Sequence, residues 1–192
     1  MEIGLFFGSF NPIHNGHLMI ASYIANYTSL KQVWIVVSPH NPLKSKSDLI
    51  NVYDRLEMAK IATEQVQYLQ VSDIELSLPQ PSYTIDTLTY LQEKYPQHRF
   101  SLIMGADNLV TLKKWKNYKQ ILDNFHIYVY PRPMADTQEW QGNPHITFTD
   151  TPQVDLSSTF IRRAISEQKP IDFLVPEQVN EFIAAKGLYK KR

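Results

Sequence analysis

Short apolar runs alternate with segments of helical spacing along the first 130 residues of the chain. Mostly apolar runs occur at residues 3–7, 33–37, 100–104 and 126–130, and a further strand is expected within 71–78. Apolar positions between them recur at helical spacing, within residues 17–25, 52–66 and 85–91. Uninterrupted apolar strands are typical of parallel sheets covered on both faces. The pattern predicts an α/β fold, with a Rossmann-like parallel sheet and helices on both faces.

Punctuating residues predict where several elements begin and end. Asn51 is expected to cap the second helix, with Asp54 placed as in a capping box. Ser157 or Ser158 is expected to cap a short helix near the C-terminus. The last helix is expected to start with Pro176 and to end at Gly187, the usual asymmetry of helix ends. Residues 38–50 are expected to form a loop, and residues 146–149 a short strand. No linker is evident, so we expect one domain over residues 1–192, with 156–192 as a C-terminal helical portion.

Charge and composition exclude several classes of protein. Among 192 residues, Lys+Arg and Asp+Glu both number 19, so the basic excess of a nucleic-acid binder is missing. The chain has no cysteine, which excludes disulfides and thiolate chemistry. No apolar stretch approaches the roughly 18 residues of a membrane span, and the N-terminus lacks the basic region of a secretory signal. We therefore expect a cytoplasmic protein that binds neither nucleic acid nor membrane, and the sequence leaves a homo-oligomer open.

The segment GSFNPIHNGH, residues 8–17, follows the first predicted strand. Ligands of open parallel sheets bind at this edge, and Gly8 and Gly16 would let the backbone approach one closely. A helix starting near Gly16 favours a phosphate at its N-terminus. His14 and His17 could both face that phosphate and stabilise charge that develops on it. Histidines near a turn are also compatible with ordinary surface residues, but this placement favours a phosphate site. No third metal ligand is evident nearby, so no protein-bound metal is expected.

The segment SSTFIR, residues 157–162, is a second candidate phosphate site. The hydroxyls of Ser157, Ser158 and Thr159 and the free N–H groups of a helix start can surround phosphate oxygens. Arg162, one turn into the helix, can add a charge-assisted hydrogen bond. The alternative is plain helix capping beside an exposed arginine.

The remaining candidates depend more on context. Gly105 and Asp107 follow a predicted strand, where Asp107 could accept hydrogen bonds from ribose hydroxyls or cap the next helix. Thr84 lies at a helix start suited to an anion. Trp115 lies among lysines, which suggests one exposed face. Lys44, taken alone, is an ordinary surface lysine.

Taken together, these motifs resemble a known family. GSFNPIHNGHL resembles the (T/S)-x-x-H-x-G-H signature of the nucleotidyltransferase superfamily, and within it most resembles the nicotinate mononucleotide adenylyltransferases. LSSTFIR matches the family motif I-S-S-T-x-I-R except at Leu156, and SYTIDTL is characteristic of the nicotinate enzymes. The resemblance runs from residue 3 to about residue 189. Phe7 and Asn11 depart from the family pattern, and SPHNPLK is shorter than the usual loop ending PPHK.

The resemblance implies an adenylyltransferase that moves AMP from ATP to nicotinate mononucleotide, with Mg²⁺ bound mainly through ATP. It implies catalytic roles for His14 and His17, and a C-terminal portion that completes the ATP site. The expected ATP-binding residues are Gly8, Ser9, Phe10, His14, His17, Gly105, Asp107, Ser157, Ser158, Thr159 and Arg162. The expected mononucleotide-binding residues are Lys44, Thr84, Trp115 and Arg132.

Three other functions share part of this pattern. A sister enzyme such as a pantetheine-phosphate adenylyltransferase would keep both phosphate motifs but would not need SYTIDTL or Trp115. A non-catalytic nucleotide-binding module would have no need of intact His14 and His17. A class I aminoacyl-tRNA synthetase also has an HxGH element, but no KMSKS-like loop follows SSTFIR.

Overall fold

A parallel β-sheet organises the computed structural model, which describes residues 1–39 and 49–190. Within that part of the chain its strands are β1 (Glu2–Gly8), β2 (Gln32–Val37), β3 (Leu69–Ser72), β4 (Arg99–Gly105), β5 (His126–Tyr130) and β6 (Ile146–Phe148). Their order across the sheet is β3-β2-β1-β4-β5-β6, and all neighbouring pairs are parallel. This arrangement confirms the predicted Rossmann-like α/β fold.

Helices connect the strands and follow the last one. They are α1 (Asn15–Tyr27), α2 (Val52–Thr63), α3 (Thr84–Lys94), α4 (Ala106–Val110), α5 (Tyr118–Asn124), α6 (Ser158–Ser166) and α7 (Glu177–Lys186). Short 3₁₀ turns lie at Ile74–Leu76, Leu112–Lys114 and Gln138–Trp140. No helix in the described ranges combines the length and the apolar character needed to cross a membrane.

The two faces of the sheet carry separate apolar cores. One core packs α1, α2, α6 and α7 through residues such as Ile24, Leu56, Ile161 and Val179. The other packs α3, α4 and α5 through residues such as Leu88, Leu109 and Ile121. The buried strand residues alternate between them, which explains why the strands are apolar throughout.

The chain reverses its direction of winding at the centre of the sheet, which defines the functional edge. β1 pairs with β2 on one side and β4 on the other, with Leu5 opposite both Trp34 and Leu102. The carboxyl ends of these three central strands therefore lie side by side. The crevice at such a switch point is where open α/β sheets bind ligands.

The strand expected within residues 71–78 is mostly wrong. β3 spans Leu69–Ser72, and the chain then forms the 3₁₀ turn Ile74–Leu76. Ile74 and Leu76 alternate with polar residues as a strand would, but Leu76 N donates to Asp73 O at 2.8 Å, which closes a turn. This turn brings Glu75 into the protein, where it is 3% exposed.

Several predicted helix ends are confirmed, and others need adjustment. Asn51 caps α2 by accepting from Tyr53 N at 2.9 Å, whereas the Asp54 carboxylate accepts from Lys186 Nζ. Ser157 caps α6, and Gly187 ends α7 in the left-handed conformation. Pro176 lies at the cap position of α7 rather than inside it. The helix α5 was not predicted.

Candidate active site

The first motif forms a loop between β1 and α1, with His14 at the cap of the helix. His14 Nδ1 accepts from His17 N at 3.3 Å, and His17 Nδ1 accepts from His14 N at 3.3 Å. The two rings stack with their centroids 3.6 Å apart. Because both Nδ1 atoms accept, each neutral ring carries its proton on Nε2. The pair therefore offers two Nε2–H donors at the start of a helix.

His14 is held in its neutral form. Its side chain is buried, and burial followed by the nearby charge of Arg132 lowers the pKa of His14 from 6.5 to about 4. At neutral pH this ring is a hydrogen-bond donor rather than a cation. The positive end of the α1 dipole adds to the attraction for an anion at this point.

The rest of the loop is fixed by close packing. Phe10 is 2% exposed and has a positive φ of 45°. Its ring lies so near Gly8 that a Cβ there would be 2.8 Å from it, which explains the glycine. The side chain of Phe10 contacts the rings of Phe6 and His17. Because its ring is buried, Phe10 would contact a ligand through its backbone.

The second motif is fastened to the first. Ser157 Oγ caps α6 by accepting from Phe160 N at 3.2 Å, and Ser158 Oγ donates to Pro12 O at 2.9 Å. Arg162 donates to Asn11 O at 3.0 Å. The two predicted phosphate sites thus form one unit, although their sequence positions are far apart. Ser157 and Ser158 use their hydroxyls within the protein and are left with backbone N–H groups for a ligand, whereas Thr159 is exposed.

Asp107 and Arg132 lie together at the ends of β4 and β5. The distance from Arg132 Nε to Asp107 Oδ1 is 3.9 Å, and the guanidinium lies 5.1 Å from the centre of the Tyr130 ring. Glycine at position 105 leaves room for the Asp107 carboxylate, because a Cβ there would collide with Asp107 Oδ1 and come within 3.1 Å of the Tyr130 ring. The charge of Arg132 also acts on His14. Arg132 was expected to bind the mononucleotide, but it lies near Asp107 and His14, which were expected to bind ATP.

A cavity of about 210 Å³ opens on the other side of this edge. It is lined in part by Gly8, Ser9, Thr84 and Trp115, so it joins the first motif to two of the predicted mononucleotide residues. Lys116 spans its rim, with Nζ 2.8 Å from Asp86 Oδ2 and 4.7 Å from the centre of the Tyr83 ring. Lys44 lies outside the described residues.

The wall of this cavity contains two buried polar atoms that no group in the described part of the chain hydrogen-bonds. Ser82 Oγ and Trp115 Nε1 have no hydrogen-bond partner among residues 1–39 and 49–190. Both residues line the cavity. Buried polar groups are nearly always hydrogen-bonded, so unpartnered ones beside a cavity indicate a place for a polar ligand or water.

Arg55 is a site residue that the sequence reasoning missed. It is 1% exposed and donates to Ser9 O at 2.6 Å, Ser38 O at 2.7 Å and Pro39 O at 2.9 Å. It thereby ties together the loops after β1 and β2. Its position on the apolar stripe of α2, one turn from Val52 and one turn from Ala59, was a signal that could have revealed it.

Tyr189 was likewise not predicted as a site residue. Its hydroxyl donates to Asn11 Oδ1 at 2.9 Å, and burial raises its pKa above the ordinary value. It joins the segment after α7 to the loop that carries His14.

Comparison with known proteins places the chain in a family. The cytidylyltransferase-like family model matches residues 5–164. A protein of Flavobacterium johnsoniae named probable nicotinate-nucleotide adenylyltransferase is 53% identical, over 100% of both chains. A protein of the same name from Flavobacterium psychrophilum is 52% identical, again over 100% of both chains.

Solved structures share the fold at low identity. Nicotinic acid mononucleotide adenylyltransferase of Plasmodium falciparum, complexed with NaAD, has a TM-score of 0.82 at 20% identity, covering 98% of this chain and 97% of that one. A nicotinate-nucleotide adenylyltransferase assigned in Vibrio parahaemolyticus has a TM-score of 0.75 at 21% identity, covering 100% and 96%. The two joined phosphate motifs and the full-length likeness agree, and the chain belongs to the nicotinate-nucleotide adenylyltransferase family of cytidylyltransferase-like nucleotidyltransferases.

Proposed function

We propose that this chain transfers AMP from ATP to the phosphate of nicotinate mononucleotide, giving nicotinate adenine dinucleotide and pyrophosphate. The observation that carries the proposal is the reciprocal capping of His14 and His17, which presents two Nε2–H donors at the start of α1. The names of the Flavobacterium relatives support the choice of substrate.

The reaction is a direct displacement at the α-phosphorus of ATP. An oxygen of the mononucleotide phosphate forms a bond to that phosphorus while the bond to the β-phosphate oxygen breaks, and pyrophosphate leaves with the electron pair. The chain contributes position and electrostatic stabilisation, so no covalent intermediate on the protein is required. His14 and His17 donate to the α-phosphate oxygens, whose charge grows in the transition state.

The ATP site comprises the first motif, the end of β4 and the start of α6. The backbone of Gly8, Ser9 and Phe10 follows the phosphates, and Gly105 and Asp107 hold the ribose. The N–H groups of Ser158 and Thr159, with the hydroxyl of Thr159, bind the outer phosphates at the α6 N-terminus. Arg162 adds positive charge while it fastens α6 to Asn11. Residues 156–190 thus complete this site.

The mononucleotide site is the cavity between Ser9 and Trp115. Trp115 stacks on the pyridine ring, and Thr84 at the N-terminus of α3 binds the nicotinate carboxylate. Arg132, beside His14, contacts phosphate where the two substrates meet. The family resemblance adds Lys44, which lies outside the described residues, as a further phosphate ligand.

Mg²⁺ fits this site as an ion carried by ATP. Residues 1–39 and 49–190 contain no group of three or more acidic or histidine side chains that could hold a metal. The ion would accordingly be held by phosphate oxygens and water, near the α6 N-terminus. When bound, it neutralises charge on the leaving pyrophosphate.

Pyrophosphate release tests the proposal. Purified protein with ATP and Mg²⁺ is given nicotinate mononucleotide, nicotinamide mononucleotide or phosphopantetheine in parallel. We expect the highest kcat/KM with the nicotinate form. Pyrophosphate release only with phosphopantetheine would mean that phosphopantetheine, not nicotinate mononucleotide, is the substrate. ATP binding without pyrophosphate release with any of the three would mean that the chain is a nucleotide-binding module.

A further inference from the structure

Glu75 is a buried carboxyl group for which the proposed reaction has no assigned use. It lies in the 3₁₀ turn after β3, is 3% exposed, and lines the cavity that holds Trp115. Thr87 Oγ1 donates to Glu75 Oε1 at 2.9 Å. Thr87 is itself fully buried on α3, so the carboxyl group is held in one orientation.

The second oxygen of the Glu75 carboxylate, Oε2, remains available to a ligand in the cavity that Glu75 lines. Within residues 1–39 and 49–190, no ion pair and no further hydrogen bond reaches the Glu75 carboxylate. An ionised carboxylate accepts several hydrogen bonds, and burying one with too few donors is costly. The cavity wall also holds Ser82, which is 7% exposed and whose Oγ has no partner among the described residues. The Glu75 carboxylate and Ser82 Oγ, which both line the cavity, can therefore each bind a polar group of a ligand.

The chemistry of the mononucleotide limits what Glu75 can bind. Its phosphate and its nicotinate carboxylate are anions, which would be repelled by a carboxylate. Its ring is a pyridinium cation, which attracts a carboxylate but has no N–H or O–H group to donate a hydrogen bond. The ribose hydroxyls are the donors that remain, and they lie between the ring and the phosphate.

We propose that Glu75 binds the ribose hydroxyls of the mononucleotide, with Thr87 fixing its carboxylate and Ser82 Oγ as a second partner. This inference rests on the proposed function and adds a recognition element to the same cavity. Glu75 would align the ribose so that the phosphate at one end and the ring at the other reach their sites together.

The test is a cycle that pairs a protein change with a substrate change. Glu75→Gln keeps the shape and leaves an oxygen to accept from Thr87, but removes the charge. We expect its KM for nicotinate mononucleotide to rise about 10-fold to 100-fold, the loss typical of a hydrogen bond to a charged group. The KM for ATP should stay within about twofold. Glu93→Gln, an exposed substitution on α3, is the matched control and should behave as the unaltered protein.

The substrate half of the cycle uses 2′-deoxy and 3′-deoxy nicotinate mononucleotide. The unaltered protein should have a lower kcat/KM with at least one of them than with intact nicotinate mononucleotide. In Glu75→Gln, the same change of substrate should lower kcat/KM very little. A role for Glu75 in holding α3 alone would change thermal stability without this coupling.

Two outcomes would overturn the inference. One is an unchanged KM in Glu75→Gln; the other is a full additional loss when the variant meets the deoxy substrates. Should Glu75→Gln fold poorly, Glu75→Asp, which keeps the charge on a shorter side chain, enters the same cycle with the same criteria. Failure of the proposed function is separate, because the unaltered protein would then be inactive with intact nicotinate mononucleotide.

Discussion

The two ends of the site use their polar groups in opposite ways. At the proposed ATP end, hereafter the ATP end, which comprises residues 8–17 and 157–162, side chains are bonded to one another or to nearby backbone: His14 with His17, Ser158 with Pro12, and Arg162 with Asn11. At the proposed mononucleotide end, hereafter the mononucleotide end, which comprises residues 75, 82–84 and 114–116, Ser82 Oγ and Trp115 Nε1 have no partner in the described part of the chain. One end is already assembled, and the other still has polar atoms for a ligand to satisfy.

The difference fits the chemistry expected at each end. Stabilising charge on a phosphate requires donors that are fixed before the reaction, so that they need no reorganisation. Recognising a particular ring and sugar requires groups that are satisfied only by the right ligand, because the wrong one leaves them unpaired. Substitutions at the ATP end should therefore lower kcat, and those at the mononucleotide end should raise KM for one substrate.

The largest effect is expected for His14→Ala. Removing one fixed donor to a developing charge typically lowers kcat about 10²-fold to 10³-fold. Steady-state pyrophosphate release measures the loss, and circular dichroism checks the fold. His14→Asn keeps an acceptor for the helix cap, and we expect it to be nearly as inactive. His145→Ala, at an exposed histidine, is the control; a His14→Ala protein with near-normal kcat would remove the catalytic role.

Arg55→Met should strongly destabilise the ATP end. The substitution removes the guanidinium that now donates hydrogen bonds to the carbonyl oxygens of Ser9, Ser38 and Pro39. Leaving several buried acceptors unsatisfied should lower the free energy of unfolding by about 3 kcal/mol. Thermal and urea unfolding measure this loss, and Lys60→Met on the same helix should change neither. Equal stability of the two variants would mean that water replaces the guanidinium without cost.

Stability should fall in acid because of His14. Its pKa is lowered to about 4 in the folded protein, against 6.5 when unfolded. The unfolded chain therefore takes up a proton between pH 6.5 and pH 4 that the folded protein does not. The free energy of unfolding therefore includes a term from the neutral His14 ring. This term is complete above pH 6.5, decreases as the pH falls to about 4, and amounts to about 3 kcal/mol. Urea unfolding across this range should show a steeper loss for the unaltered protein than for His14→Asn; parallel curves would contradict the assignment.

The smallest effect is expected at the rim of the mononucleotide end. Lys116 and Asp86 form an exposed ion pair, which should contribute less than about 1 kcal/mol to stability. Lys116→Gln should raise the KM for the mononucleotide a few-fold through loss of a nearby positive charge, with kcat unchanged. Lys119→Gln, exposed on α5, is the control. A fall in kcat without a change in KM would place Lys116 with the catalytic groups instead.

The sequence predicted the local structure of residues 8–17 and 157–162 more fully than that of the cavity wall around Trp115, for a physical reason. The first motif and the α6 cap are contiguous segments, and strand ends and helix starts are readable from apolar spacing and capping residues. Local pattern therefore suffices to locate His14, His17 and Ser157 at helix starts. The bonds between the two segments depend on how the sheet is wound, which spacing along the chain does not specify.

Spacing does not reveal Glu75, and for Arg55 it indicates a place on the apolar stripe of α2 but not the groups that Arg55 binds. Glu75 alternates with Ile74 and Leu76 as an outward strand residue would, and only the 3₁₀ turn places it inside. Arg55 is a charged residue on a helix, which is usually solvated, and its burial depends on four carbonyl oxygens from three separate segments. Interactions between distant segments are set by tertiary packing rather than by local pattern.

The bond between Tyr189 and Asn11 has a consequence for how the protein is made. It joins residues 178 positions apart, and the bond from Arg162 to Asn11 spans 151 positions. During synthesis on a ribosome, the loop that carries His14 emerges long before these partners do. The wall around Trp115 can assemble on the growing chain before Arg162 has emerged, whereas residues 8–17 gain all these bonds only after Tyr189 has left the ribosome.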